Sequence, residues 1–227
     1  MRQTDTANPI KAVLFDLDGA LIDTAPDLAN ALNAVLKEHK QEPLPYERIR
    51  PMVSNGANGL IKLGFGDSLS DAEHEQIKAE LIACYQQNIA DKSALFNGLE
   101  DALLYIENRH IAWGIVTNKP EYLTQQLLKE INFNIKPQTV VCGDQVSSPK
   151  PHPESIYLAC KQLGVLPENA IYIGDAERDI RAGNLAGLTT IACAYGYVQA
   201  NDDIKTWQAD EIVATSIELV EWIKEAC

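Results

Sequence analysis

The sequence predicts an α/β protein, in which a doubly wound, Rossmann-like parallel sheet carries an inserted all-helical second domain. Short apolar runs recur along the chain and alternate with segments of helical periodicity, which is the pattern of βαβ units. One long stretch after the first run shows helical periodicity alone. With 227 residues, the chain is long enough for one large core and a smaller second domain.

Six apolar runs are predicted strands, because a strand buried on both faces of a parallel sheet is apolar throughout. In chain order they are Lys11–Phe15, Ile111–Val116, Thr139–Cys142, Ala170–Ile173, Thr189–Ala194 and the weaker Glu211–Val213. The predicted core helices are Glu100–Asn108, Glu121–Ile131, Pro153–Leu163, Asp179–Ala186 and Ser216–Ala226.

The helical stretch is predicted to be the inserted domain, residues 23–95, with residues 1–22 and 96–227 forming the core. Its helices are predicted at Pro26–Leu36, capped by Thr24 or Asp23, and at Asp71–Ile89, capped by Ser70 with Glu73 at capping-box spacing.

The charge balance restricts the partners. The net charge is −13, from 32 acidic and 19 basic residues, and such a surface repels nucleic acid and anionic lipid. An anionic small molecule therefore needs a local positive site. Residues 1–9 are polar and no apolar run approaches the ~18 residues of a membrane span, so we expect a cytoplasmic protein. The sequence does not set the oligomeric state, and a monomer and a homodimer both stay open. Five cysteines without a CxxC spacing and four scattered histidines predict reduced thiols and no histidine metal site.

The first candidate segment follows the first strand and contains Asp16, Asp18 and Gly19. A carboxylate can attack phosphorus to form an acyl phosphate, and a second can protonate the leaving group and later deprotonate water. Gly19 allows the chain to turn so that both carboxylates face one substrate. We interpret Asp16 as the nucleophile and Asp18 as the general acid/base; the alternative is a loop aspartate beside a helix cap.

Two further segments carry phosphate-binding chemistry. Thr117 and Asn118, at a predicted strand end before a helix, offer a hydroxyl and backbone N–H groups to phosphate oxygens, although a simple helix cap fits the same residues. Lys150 lies in a stiff Pro-x-Pro-x-Pro loop, where it can balance the charge of the nucleophile and the phosphoryl oxygens. A solvated loop lysine is the alternative.

The fourth segment contains Asp175 and Asp179 after another predicted strand. Four residues apart at a helix start, they face the same way, and with Asp16 they offer the oxygen ligands that Mg²⁺ prefers. Two capping acids are the alternative. All four segments fall at strand ends of one sheet, where a doubly wound fold binds its ligand.

Together the four segments resemble the motifs of the haloacid dehalogenase superfamily, over essentially the whole chain. The matching residues are Asp16-x-Asp18-Gly19, Thr117-Asn118, Lys150-Pro151 and Gly174-Asp175-xxx-Asp179. The resemblance implies that Asp16, the backbone carbonyl of Asp18 and Asp175 hold Mg²⁺, with Asp179 behind them. Asp18 is the feature that separates phosphatases and phosphomutases from dehalogenases and ion pumps in this superfamily. The helical insertion resembles the C1 cap of the phosphoglycolate phosphatase-like branch.

Within that branch three strings resemble the N-acetylmuramic acid 6-phosphate phosphatases of peptidoglycan recycling. They are Val53–Asn58, Trp113–Pro120 and Tyr195–Tyr197 followed by Trp207. The resemblance implies a small phosphate ester as substrate, N-acetylmuramic acid 6-phosphate or phosphoglycolate. The predicted substrate-binding residues are Gly19, Asn118, Ser54, Asn55 and Gly56, with Asn58 as a further candidate; a helix-start loop is the alternative for the cap residues.

Two positions depart from the family pattern, Ala20 where Thr is usual and Ala176 where Asp is common. We expect activity to survive both, with a looser first loop and altered detail in the metal coordination. Two other functions stay open: a sugar phosphomutase of the same superfamily, and a non-catalytic protein that binds a phosphorylated metabolite.

Overall fold

The structure is a computed structural model that describes residues 9–131 and 133–227. The prediction of a polar segment at residues 1–9 falls almost wholly outside this range. Among the described residues, no helix combines the length and the apolar character needed to cross a membrane.

A six-stranded sheet with the order β5-β4-β1-β6-β7-β8 forms the centre of the fold, and all its neighbouring strands are parallel. The strands are β1 (Ala12–Phe15), β2 (Ile22–Asp23), β3 (Ala94–Leu95), β4 (Ala112–Val116), β5 (Thr139–Val141), β6 (Ala170–Gly174), β7 (Thr189–Cys193) and β8 (Glu211–Val213). Strand β1 is central and every side chain in it is buried. Val13 and Phe15 belong to the apolar core on one face, and Ala12 and Leu14 to that on the other.

The helices alternate with the sheet strands, as the sequence predicts. They are α1 (Ala25–Glu38), α2 (Tyr46–Ile49), α3 (Gly56–Phe65), α4 (Asp71–Gln87), α5 (Leu99–Asn108), α6 (Glu121–Glu130), α7 (Glu154–Leu163), α8 (Glu177–Ala186) and α9 (Ser216–Ala226). Helices α1–α4 lie between β2 and β3, and α1 packs against both α3 and α4. The α/β fold class with inserted helices is confirmed.

Helix α8 begins two residues before its predicted start. The Asp179 carboxylate turns back and accepts a hydrogen bond from the Ala176 N–H at 3.0 Å. Asp179 is therefore the third residue of the helix rather than its first, and this capping contact extends the helix towards the sheet.

The predicted caps of the inserted helices differ in outcome. Ser70 and Glu73 form the predicted capping box at the start of α4. Thr24 stands at the cap position of α1, but its hydroxyl does not cap the helix. It donates instead to Asp18 Oδ1 at 2.6 Å, because that carboxylate lies directly above the helix start.

Two short links join the inserted helices to the core. Strands β2 and β3 pair antiparallel, with Ile22 opposite Leu95, in a ribbon that periodicity cannot reveal because each strand has two residues. The buried Asp27 carboxylate accepts hydrogen bonds from the N–H groups of Lys92 and Ser93 and from the Ser93 hydroxyl. The boundaries at residues 23 and 95 stay a prediction, and both lie within this ribbon.

Candidate active site

Asp16 is the first residue beyond β1, at the carboxyl end of the central strand. Its N–H donates to the Ile173 carbonyl at 2.8 Å, so the backbone stays in register with β6 for one more residue. The residue is only 3% exposed. Burial, partly offset by the Lys150 charge, raises the pKa of Asp16 to about 6.

Lys150 is the buried cation of the site. Its ammonium lies 2.8 Å from Asp16 Oδ1 and 2.8 Å from Asp179 Oδ1. It also donates to the Val116 carbonyl at 2.9 Å and to the Tyr172 hydroxyl at 2.7 Å. The carboxylates raise the pKa of Lys150 although burial opposes them, so the lysine is charged. The solvated-loop alternative for this lysine is excluded by its burial.

Asn118 holds the Lys150 backbone in place. Its side-chain Nδ2 donates to the Lys150 carbonyl at 2.9 Å, and its Oδ1 accepts from the Lys150 N–H at 3.1 Å. The amide therefore positions the lysine, and its predicted contact with substrate stays a prediction. The neighbouring Thr117 is 2% exposed and accepts the Lys119 N–H at 3.1 Å, so its hydroxyl proton is available to a ligand.

Asp16, Asp175 and Asp179 form an acidic cluster whose ligand atoms lie within 4.8 Å of one another. Burial, followed by the charges of Asp179 and Asp16, raises the pKa of Asp175 to about 7. Asp175 Oδ1 is buried and has no hydrogen-bond partner among the described residues, although buried polar atoms are normally paired. A hard divalent cation takes such oxygen ligands and would supply the missing positive charge, so the cluster has the donor set of a divalent-metal site.

The roles predicted for Asp179 and Asp18 in metal binding differ in geometry. The Asp179 carboxylate pairs with the Lys150 ammonium and accepts a hydrogen bond from the Ala176 N–H. Asp16 and Asp175 therefore remain to contact a cation directly, and Asp179 supports them from behind, on the side away from the cation. The Asp18 side chain lies outside the acidic cluster, so of Asp18 only its backbone carbonyl remains as the predicted ligand.

Gly19 lies against the acidic cluster and has a φ of +94°. A Cβ at this position would lie 2.2 Å from Asp175 Oδ2, closer than any real contact allows. Glycine is therefore required here both for its backbone conformation and for the close approach of the first loop to Asp175.

Asp18 is held by residues from two parts of the chain. Its Oδ1 accepts the Lys119 ammonium at 2.9 Å and the Thr24 hydroxyl at 2.6 Å. Lys119 also donates to the Tyr85 hydroxyl on α4 at 3.1 Å, and its ammonium lies 4.7 Å from the centre of the Tyr85 ring. The Asp18 carboxylate is thus fixed at the mouth of the site, in contact with the inserted helices.

A cavity of about 510 Å³ opens between the core residues and the inserted helices. Asp16, Asp18, Thr117 and Asn118 line its core side. The predicted cap residues line the opposite side, and they are Ser54, Asn55, Gly56 and Asn58. Apolar side chains of the inserted helices complete the wall, among them Leu81 and Ile82.

Ser54, from the inserted domain, contacts the acidic cluster. Its hydroxyl donates to Asp175 Oδ2 at 2.8 Å, and the Tyr197 N–H donates to the same oxygen, also at 2.8 Å. The prediction placed Ser54 at the site as a substrate ligand, whereas the structure shows it bound to a predicted metal ligand. Its role towards the substrate stays a prediction.

Sequence reasoning missed several residues of the site. Lys119 and Tyr197 lie in strings that resemble the family, but no role followed from the strings. Tyr197 holds the link between β2 and α1 in place, since its hydroxyl donates to the Asp23 carboxylate and accepts the Thr24 N–H at 2.7 Å. Ala20 is fully buried, and its carbonyl accepts the Tyr195 hydroxyl at 2.7 Å, so this loop is held without a threonine.

Known proteins are similar to this chain over the segments that form the candidate site. The family model of haloacid dehalogenase-like hydrolases matches residues 13–193. An N-acetylmuramic acid 6-phosphate phosphatase of Pseudomonas aeruginosa is 38% identical over 217 residues, covering 96% of both chains. A phosphoglycolate phosphatase of Xanthomonas campestris is 37% identical over 203 residues, covering 89% of this chain and 91% of the relative.

A solved structure gives the same fold. It is described as a predicted phosphoglycolate phosphatase of Haemophilus somnus, and it is 25% identical to this chain. The two structures superpose with a TM-score of 0.83, over 94% of this chain and 97% of the other.

Proposed function

Since the chain belongs to the haloacid dehalogenase-like hydrolase family and is a phosphatase acting on phosphate esters, we propose that it works through a phospho-aspartate on Asp16. One observation carries the proposal. The buried Asp16 carboxylate lies 2.8 Å from the Lys150 ammonium, and it has an oxygen within 4.8 Å of an oxygen of Asp175, a carboxylate whose Oδ1 has no hydrogen-bond partner among the described residues. Asp16 therefore has an ammonium on one side and, with Asp175, the oxygen ligands for a divalent cation, and these two positive charges together are what attack on a phosphate dianion requires.

In the first step an Asp16 oxygen attacks phosphorus and the ester P–O bond breaks. Asp18 gives its proton to the departing alkoxide. In the second step Asp18 takes a proton from water, which attacks phosphorus and releases inorganic phosphate, and Asp16 regains its carboxylate. Lys119 and Thr24 hold Asp18 at the cavity wall, where both the leaving group and the water pass.

We propose that Asp16 and Asp175 hold Mg²⁺, with Asp179 and Lys150 behind them. When bound, the cation offsets the repulsion between carboxylate and phosphate and orients the phosphoryl group. Thr117 supplies its hydroxyl to the phosphoryl oxygens, while Asn118 keeps Lys150 in place.

The size of the cavity favours an amino-sugar phosphate over a two-carbon ester. A volume of about 510 Å³ falls in the usual ~300–1,000 Å³ range of pockets for larger organic ligands. Phosphoglycolate would leave most of it unfilled, whereas a hexose ring would contact the apolar wall of Leu81 and Ile82. Together with the resemblance to the Pseudomonas relative, this supports N-acetylmuramic acid 6-phosphate as the substrate.

Phosphate release from N-acetylmuramic acid 6-phosphate, phosphoglycolate and glucose 6-phosphate, with Mg²⁺ and then with EDTA, tests the proposal. We expect the highest kcat/KM on the first ester and loss of turnover in EDTA. Asp16→Asn should abolish turnover, whereas Asp101→Asn, which removes an exposed aspartate of α5, should not. Turnover retained by Asp16→Asn would refute the covalent route, and a requirement for a sugar bisphosphate with little phosphate release would identify a phosphomutase.

A further inference from the structure

Arg178 lies at the junction of two cavities and has no place in the steps described above. It belongs to the first turn of α8, one residue before Asp179, and is half-buried. It lines the 510 Å³ cavity and also a second, 300 Å³ cavity on the far side of Ser54 and Asn55. Ser54, Asn55 and Arg178 line both cavities, so the arginine stands where they meet.

The basic side chains that line the larger cavity differ in what they contact. Lys119 is bound to Asp18 and Tyr85, and Lys78 lies 3.5 Å from Glu75 on its own helix. Arg178, in contrast, makes no hydrogen bond or ion pair with any residue that the structure describes. A guanidinium offers five N–H donors, and those of Arg178 are accessible from the cavities that it lines, where a ligand oxygen can accept them.

The Arg178 charge is close to the reacting carboxylates without being bound to them. It lowers the pKa of Asp16 and of Asp175, against the larger effect of their burial. Burial lowers the pKa of Arg178, but Asp179, Asp16 and Asp175 together raise it by more, so the guanidinium is charged. Arg178 lines the same cavity as Asp16, Asp18 and Thr117, so its cation borders the space in which the phosphoryl group meets Asp16.

We propose that Arg178 binds the non-bridging oxygens of the phosphoryl group, in the substrate and in the released inorganic phosphate. A planar guanidinium can donate two parallel hydrogen bonds to two such oxygens, which a lysine cannot do. The inference rests on the proposed phosphatase site, but not on which ester is the natural substrate. A carboxylate elsewhere on the substrate is the competing ligand.

The experiment compares Arg178→Met and Arg178→Lys with Arg181→Met. Arg181 is an exposed arginine of the same helix that lines neither cavity, so its loss removes an equal charge. The readouts are the inhibition constant of inorganic phosphate and kcat/KM on p-nitrophenyl phosphate, which has no carboxylate. We expect Arg178→Met to weaken phosphate inhibition on the order of 10- to 100-fold, Arg178→Lys to recover part of it, and Arg181→Met to stay within about two-fold.

The competing ligand is tested with N-acetylmuramic acid 6-phosphate and N-acetylglucosamine 6-phosphate, which differ by one lactyl carboxylate. Equal losses on both esters support binding of the phosphoryl group. A loss confined to the first ester, or phosphate inhibition that Arg178→Met leaves unchanged, overturns the proposal. If Arg178→Met does not fold, Arg178→Lys decides on the same readouts. A wild-type protein inactive on N-acetylmuramic acid 6-phosphate would refute the proposed substrate alone, because the arginine comparison is read on inorganic phosphate.

Discussion

Replacing Lys150 with methionine removes the one ammonium that contacts both Asp16 and Asp179, each at 2.8 Å. Methionine keeps an unbranched side chain of similar length, so packing changes little. The position is 3% exposed, and water cannot replace the lost partner. Two buried carboxylates then remain without their shared counter-charge.

The size of the effect follows from these distances. At an effective dielectric constant of ~20, each pair at 2.8 Å contributes about 6 kcal/mol of direct attraction. Much of this is offset by the desolvation of the ammonium, and removal of one partner from a buried ion pair costs about 3–5 kcal/mol in measured cases. We expect the free energy of unfolding of Lys150→Met to fall by about this amount, and turnover to fall on the order of 10²- to 10³-fold.

Urea unfolding in EDTA, followed by tryptophan fluorescence, measures the change without a metal contribution. Lys129→Met is the matched control, because Lys129 is exposed on α6 and its loss changes the net charge equally. Adding Asp179→Asn to Lys150→Met should restore about 1 kcal/mol or more of the free energy of unfolding, since one of the two unpaired buried charges is removed. The reasoning fails if Lys150→Met and Lys129→Met have stabilities within about 1 kcal/mol of each other.

Other substitutions test separate contacts. Ser54→Ala removes the hydroxyl on Asp175 and should lower kcat/KM about 10-fold with little change in melting temperature, while Ser54→Thr should retain activity; equal kinetics in all three proteins would contradict the contact. Gly19→Ala should lose activity more than about 100-fold, because its Cβ would collide with Asp175. Gly66→Ala is the control for backbone strain without a steric collision, because Gly66 has a φ of +77° and nothing lies within 4 Å of its Cβ. This variant should keep activity. Asp27→Ala should lower the free energy of unfolding in urea by about 2–4 kcal/mol, because the N–H groups of Lys92 and Ser93 lose their acceptor. A decrease below about 0.5 kcal/mol would show that water replaces the carboxylate.

The sequence predicted the sheet strands well, because each depends on local information. A strand buried on both faces is apolar throughout, and strand ends of a parallel sheet meet at one edge. Asp16, Lys150 and Asp175 therefore converge as expected. The two-residue strands β2 and β3 could not be predicted, because two residues carry no periodicity and their pairing depends on the rest of the fold.

Side-chain partners were predictable only in part. The Ser70 capping box spans four residues and was predicted correctly, since a helix start fixes its geometry. The Lys119–Asp18 contact joins residues 101 positions apart, and no local rule selects it over solvation of the lysine. Of the two caps predicted for α1, Thr24 and Asp23, Thr24 does occupy the cap position, but its hydroxyl bonds to Asp18, a contact that exists only once the fold brings the two together.

The charges at the site explain how a chain with a net charge of −13 can receive a phosphate dianion. Apart from Lys78, which pairs with Glu75 on its own helix, the described site holds four carboxylates and three basic side chains, which are Asp16, Asp18, Asp175, Asp179, Lys119, Lys150 and Arg178. Without a metal the sum is negative, and phosphate is repelled; a divalent cation makes it positive. Metal and phosphate affinity must then be reciprocally linked, so inorganic phosphate should tighten Mg²⁺ binding by the same factor by which Mg²⁺ tightens phosphate binding. Unlinked affinities in calorimetry would show that the cation binds away from Asp16.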